Sequence, residues 1–342
     1  MSNDGLRLMT TEQLAAITGT RKGETKLGER VQVISSLDDL KTLPARFVLL
    51  GIKEDIGIRA NLGKGGATTC WDWAIKAIVN VQSNPFLDGG EILVLGALEF
   101  DDLLNQAEDL DSSKPEDLAK LRELTAAVDQ HVVETIQTIV AAGKVPIIIG
   151  GGHNNSYGNI TGTAQALGEK LNVLNIDPHT DYRSLEGRHS GNGFSYAHKG
   201  GSLNKYAVYG LHEGYNGKSI IETFQKDTNL TFQTFEGLLN LMEDEKYQHF
   251  MNILNWLETS LTGLELDLDS ITRFPVSALN PSGFSLNEVR SMIRATAGLK
   301  DVRYFHICEG SPGRAANDME REMLGKSVAY LVTDFVKGMQ GF

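Results

Sequence analysis

The chain is poor in three things that would each define a class of protein. It has two cysteines in 342 residues, Cys70 and Cys308, too few for a disulfide framework, so nothing in it points to an oxidising compartment. It has no apolar run of the ~18 residues that a membrane span requires. Its opening residues, MSNDGLRLMTTEQLAAITGT, lack the apolar centre of a secretory leader. Positive charge is also short: 32 Lys and Arg stand against 44 Asp and Glu, a net charge of −12. A nucleic acid or an anionic membrane needs a basic face, and this balance speaks against both partners. The expectation is a cytoplasmic protein.

What is present is ordinary globular material, with 41% hydrophobic and 22% charged residues. From Arg46 onward, short apolar runs read as buried parallel strands at Phe47–Leu50, Ile92–Leu95, Val145–Ile149, Leu171–Ile176, Tyr206–Tyr209, Leu230–Phe232, Gly263–Leu268 and Val302–Cys308. Helical stretches lie between many of them. The clearest opens at Ser113-Lys114-Pro115-Glu116, carries an apolar stripe through Leu118, Leu121, Val128, Val132, Ile136 and Ile139, and stops at Gly143. Another, Gly325–Met339, ends the chain in the same manner. Alternating strands and helices predict an α/β fold of three layers, α/β/α, around a mainly parallel sheet of about eight strands. No Pro/Gly/Ser linker, internal repeat or low-complexity tract divides the chain. Residues 1–45 read as a polar N-terminal extension with a short helix near Thr11–Ile17, and 46–342 as a single domain.

Ligands of such sheets bind beyond the carboxyl ends of the strands, and three predicted strand ends carry ionisable clusters. In Ile149-Gly150-Gly151-Gly152-His153 a strand runs into glycines and a histidine. Alone, that reads as a structural turn. In Asp177-Pro178-His179-Thr180-Asp181 three ionisable groups alternate, and an extended or turning segment can aim all three to one side. A cation would relieve their repulsion; a polar turn is the other reading. In Leu264-Glu265-Leu266-Asp267-Leu268-Asp269 the leucines face one way and the acids the other. Carboxylates closing an apolar strand must be salt-bridged or metal-bound. Together the clusters supply two histidines and four aspartates. Oxygen-rich ligands with a few imidazoles suit Mn²⁺ or a similar first-row ion, and six side chains suffice for two ions if some carboxylates bridge.

These three motifs resemble those of the ureohydrolases (arginase, agmatinase, formimidoylglutamase and relatives): a Gly-Gly-x-His turn, an Asp-Ala-His-x-Asp strand end and a later Asp-x-Asp. The resemblance runs from about Phe47 to the C-terminus. Two features look like the formimidoylglutamase branch, namely the segment Gly51 to Ala67 and the run Gly150-Gly151-Gly152-His153. The resemblance implies two Mn²⁺ per subunit, or another divalent first-row metal. His153, Asp177, Asp181 and Asp267 would hold one ion, and His179, Asp177, Asp267 and Asp269 the other, with Asp177 and Asp267 bridging. It implies water attack on the carbon of a linear amidine, most specifically N-formimidoyl-L-glutamate giving glutamate and formamide, with a non-catalytic binding relative or another guanidino hydrolase as alternatives. Asp181 and Glu309 would be the catalytic carboxylates, Glu309 orienting the amidino group. Ser190 and Asn192, in a Ser-Gly-Asn loop, would bind the amino-acid end of the substrate, and Arg59, Asn61 and His212 are further candidates. A homo-oligomer is implied as well. The departures are Phe194, where arginases place a proton-shuttling histidine, Pro178 for the usual alanine, and Gly152 for a frequent aspartate. His189 could replace the missing shuttle but reads as a surface histidine. His131, His198, His249 and His306 read as structural or exposed.

Overall fold

The computed structural model describes residues 5–341. Among them nine strands form one sheet: β1 Leu6–Leu8, β2 Phe47–Lys53, β3 Ile92–Glu99, β4 Val145–Ile149, β5 Leu171–Ile176, β6 Leu203–Leu211, β7 Leu230–Thr234, β8 Thr262–Asp267 and β9 Val302–Cys308. Their order is β1-β3-β2-β4-β9-β8-β5-β6-β7. Every pairing is parallel except that of β1, which runs antiparallel to β3 with Leu6 opposite Leu98. The eight expected strands are all there. The ninth, β1, lies within the polar N-terminal segment, and three residues are too few to show a strand period. Strand β6 is longer than its apolar run because Asn204 and Lys205 near its start are only half-buried.

Alternation along each strand divides the core between the two faces of the sheet. On one face Leu49, Ile147, Ile149, Leu174, Leu264, Leu266, Phe305 and Ile307 pack with Leu331, Val332 and Phe335 of the last helix, Asp318–Met339. On the other, Leu50, Ile148, Val173, Val208 and Tyr304 pack with Leu121, Val128, Val132 and Ile136 of the long helix Pro115–Ala141. That helix starts on a proline at its first turn and gives way at Gly143, whose φ is +77°. A backbone in this region suits glycine because it carries no Cβ to collide with the carbonyl. No helix among the described residues is long and apolar enough to cross a membrane.

Strand order brings the ionisable clusters together. The central run β4-β9-β8-β5 sets four carboxyl ends side by side, although the chain visits them in the order β4, β5, β8, β9. The expected ligand clusters lie at the ends of β4, β5 and β8, and Glu309 lies at the end of β9.

Candidate metal centre

Each strand end presents its side chains by a local device. After β4 the chain turns through Gly150 (φ +94°) and Gly151 (φ +72°) into a short 3-10 turn, His153–Asn155, and then the helix Ser156–Leu167. A Cβ on Gly150 would lie 2.8 Å from the Ile52 carbonyl oxygen, so the turn can lie this close to β2 only without a side chain. After β5 and after β8 the same turn recurs: Asp177 Oδ1 accepts from His179 N at 2.6 Å, and Asp267 Oδ1 accepts from Asp269 N at 2.7 Å. Asp267 thereby spends Oδ1 on the backbone and turns Oδ2 to His153, whereas Asp177 is held at both oxygens, Oδ2 accepting also from Asn175 Nδ2 at 2.9 Å. Asp181 and Glu309 adopt left-handed backbone, with φ of +44° and +64°. For residues with a Cβ that costs about 1–2 kcal/mol each, and strain of this kind collects at functional sites.

The six expected ligands meet. Nδ1 of His153 lies 2.8 Å from Asp181 Oδ2, 3.2 Å from Asp177 Oδ2 and 3.4 Å from Asp267 Oδ2. His179 Nδ1 lies 3.4 Å from Asp177 Oδ1 and 3.9 Å from Asp269 Oδ2. Donor atoms of His153, Asp177, Asp181 and Asp267 all fall within 4.8 Å of one another, and so do those of His179, Asp267 and Asp269. Asp267 belongs to both groups, and Asp177 touches both histidines.

Divalent ions fit this donor set. His153 is fully buried, and its Nδ1 makes no hydrogen bond despite the three carboxylate oxygens around it; Asp269 Oδ1 is also buried and unpartnered. Such atoms are costly unless something coordinates them. Burial, then the neighbouring acids, push the carboxyls of Asp181, Asp269 and Glu309 above the usual range and that of Asp267 up to about 6. Burial also works against a charged His179, yet the Asp177 contact and the other acids raise it to about 9. Without cations His179 keeps its proton at neutral pH and the crowded carboxyls resist ionisation; cations of charge two would relieve both. Both cysteines are buried and unpaired.

The cavity above this floor measures about 470 Å³. Asp181, Asp267, Asp269, His179 and Glu309 line its depth, with Asn61, Arg183, Ser190, Tyr215 and Asn216 among the rest. Of the expected substrate contacts, Asn61 and Ser190 line it and bond each other at 3.2 Å. The other three lie elsewhere. Arg59 Nη2 donates to the carbonyls of Ala107 and Leu110, at 2.6 and 2.9 Å, capping a neighbouring helix end. Asn192 is buried and spent within its own loop: Oδ1 accepts from Arg188 and from His189 N, and Nδ2 donates to the Ser184 and Gly187 carbonyls. His212 stacks between Tyr215 and Phe235, one ring behind the wall. Tyr215 in turn stacks on His179 at 5.4 Å.

Phe194 is fully buried, edge-on to His153 at 5.2 Å and stacked on Tyr206 at 4.2 Å. His189 is not the surface residue expected. It is buried, with Nε2 3.2 Å from Glu186 Oε1 and Nδ1 accepting from Gly191 N; burial, then Arg183 and Arg122, press it down to about 4.

Three buried residues lie behind the expected ligands, and only one of them, Glu265, stands in one of the three ligand motifs. Glu54, just past β2, accepts from Gly152 N, Asn154 Nδ2 and Asn155 Nδ2 at 2.8–3.2 Å and from Gly57 N at 3.2 Å, so it pins the turn that carries His153. Glu265 and His306 lie below the same histidine. The signal for Glu265 was its place among the acids of β8 that face away from the leucines.

A model of the arginase family matches residues 86–333. The chain belongs to the arginase family. Among relatives of this arginase-family chain, a formimidoylglutamase from Geobacillus sp. (strain WCH70) is 28% identical over 282 residues, covering 78% of this chain and 76% of that one. The fold is shared with the formimidoylglutamase of Bacillus subtilis, at TM-score 0.74 and 18% identity over 94% of both chains. It is shared also with the Trypanosoma cruzi formiminoglutamase solved with two Mn²⁺, at TM-score 0.70 and 19% identity over 92% of this chain and 98% of that one.

Proposed function

We propose that this chain hydrolyses N-formimidoyl-L-glutamate to L-glutamate and formamide, using two divalent ions, with manganese as the native metal. The observation that carries the substrate is the division of charge in the cavity. Its depth is acidic, and Arg183 is the only arginine or lysine among the described residues that line it. Arg183 is half-exposed, donates to Asn61 Oδ1 at 2.8 Å and sits 3.2 Å from Glu186 Oε1. A molecule with a cationic amidine at one end and carboxylates at the other matches that polarity. Relatives named formimidoylglutamase support the same reading.

His153, Asp177, Asp181 and Asp267 would hold one ion, and His179, Asp177, Asp267 and Asp269 the other. Bound there, two ions supply Lewis acidity and lower the pKa of water. Glu309 fixes one carboxylate oxygen by accepting from His153 N at 2.8 Å; its other oxygen bonds none of the described residues. From that position it would pair with the amidinium and align its carbon with the ligand cluster. Asn61, Ser190 and Arg183 would receive the carboxylate end. The overall change adds water across the formimidoyl carbon and breaks its bond to the glutamate nitrogen.

A substrate panel on Mn²⁺-loaded protein, scoring formamide, urea and ammonia separately, tests this reading. Formamide from formimidoylglutamate should dominate. L-arginine should be slower by about 10²-fold or more, because no imidazole stands at position 194 to move a proton. Robust urea release from arginine at neutral pH would overturn the assignment.

Arg183→Met gives a second test. Loss of a charge-assisted contact worth about 1.5–3 kcal/mol should raise KM for formimidoylglutamate by roughly 10–100-fold. Turnover of formamidine, which has no carboxylate, should hold. An unchanged KM would move the carboxylate site elsewhere.

A further inference from the structure

The ligand face of His153 meets the aspartates; its opposite edge meets a second pair of ionisable residues. Glu265 and His306 are direct partners across β8 and β9, and both are fully buried. Their neighbours Leu264, Leu266, Phe305 and Ile307 face the other side of the sheet, so the pair points into the layer beneath His153. Glu265 Oε2 accepts from His306 Nδ1 at 2.5 Å and lies 3.5 Å from His153 Nε2. The far nitrogen of His306 is 3.4 Å from the carbonyl oxygen of Gly150, at the start of the turn that carries His153. The row therefore closes on itself: turn, His306, Glu265, His153, turn.

A buried pair of ionisable residues is a poor source of stability, since apolar residues of similar volume commonly do as well. It is well suited to another task. An imidazole that binds an ion through Nδ1 must carry its proton on Nε2, and an acceptor at Nε2 selects that tautomer and the ring's orientation. Glu265 is the carboxylate at that edge, at an ion-pair distance of 3.5 Å and placed to accept when the ring carries its proton on Nε2, while Phe194 packs against the ring and the aspartates surround Nδ1.

We propose that Glu265 is the positioning residue for His153, and that His306 sets Glu265, so that the ion position containing His153 depends on a pair outside both ligand groups. This rests on the dinuclear reading of the site. The test is Mn²⁺ titration of metal-free protein, resolving two affinities by equilibrium dialysis with electron paramagnetic resonance, beside thermal melts of the metal-free forms. Glu265→Leu removes the acceptor. It should weaken one of the two positions by about 10–100-fold and leave the other within about threefold. Glu265→Gln, which keeps an acceptor oxygen, should fall between that variant and wild type. His306→Phe should weaken the same position as Glu265→Leu, and it decides the matter if Glu265→Leu does not fold. Unchanged affinities, equal losses at both positions, or a lower melting temperature with both affinities intact would each overturn the proposal. A wild-type chain that takes up no divalent ion would overturn the dinuclear reading as well, on that measurement alone.

Discussion

Asp177→Ala and Asp267→Ala should each abolish turnover and most metal uptake. Asp177 touches both histidines, at 3.2 and 3.4 Å, and Asp267 belongs to both donor groups. Removing either carboxylate therefore disturbs two ion positions at once. Loss of several kcal/mol of Lewis-acid stabilisation corresponds to more than about 10³-fold in kcat/KM. Each aspartate also accepts from the backbone two residues on, so His179 or Asp269 loses its local anchor in the same change. Elemental analysis after reconstitution should find about two ions in wild type and far fewer in the variants. Uptake by wild type should be weaker at pH 5 than at pH 8. Asp267, lifted to about 6, and His179, lifted to about 9, hold protons at the lower pH that the ions must displace. Wild-type protein without metal after Mn²⁺ treatment, or a variant retaining both ions and activity, would refute the assignment.

Glu309→Gln should separate chemistry from architecture. Glutamine keeps the size of the side chain and an oxygen that can accept from His153 N, so folding and metal content should survive. What goes is the charge facing the amidinium. An ion pair in a partly desolvated pocket both holds the substrate and orients its carbon, and losing an orienting group of this kind costs about 10²-fold or more in kcat/KM, roughly 2.7 kcal/mol. Burial, then Asp267, already lifts this carboxyl well above its usual range. The bound ions and a cationic substrate would supply the positive charge that keeps it ionised. Steady-state kinetics, thermal melts and metal analysis on one preparation check this. A lowered melting temperature with unchanged kinetics in the folded fraction would make Glu309 a structural acid.

Much of the architecture is legible in the chain's periodicity. Apolar runs of strand length with helical stripes between them require a covered parallel sheet, and Val145–Ile149, Leu171–Ile176 and Val302–Cys308 fall where the pattern puts them. The cost of unpaired carboxylates at the ends of buried strands marks Asp177, Asp181, Asp267 and Asp269 as candidates, and the resemblance of the three motifs turns them into a ligand set. β1 is not legible, because Leu6-Arg7-Leu8 is shorter than any reliable period. Nor is the direction of individual side chains in loops and short helices. Arg59 and Asn192 stand in motifs that point to the substrate. Yet the carbonyls of Ala107 and Leu110 capture the first, and the loop's own polar atoms consume the second. Spacing says which residues share a face, not what that face meets.

The chain's sequence by itself determined which ionisable residue types sit at the strand ends, and that so many carboxylates there need a cation, a salt bridge or a turn to satisfy them. Tertiary structure decided which strand ends became neighbours. Local periodicity carries no information about sheet order, and only the order β4-β9-β8-β5 lets Glu309 accept from His153, 156 residues away, and sets Glu265 and His306 beneath the same ring. Contacts of that range form when the whole sheet closes its core, so no window of sequence contains them.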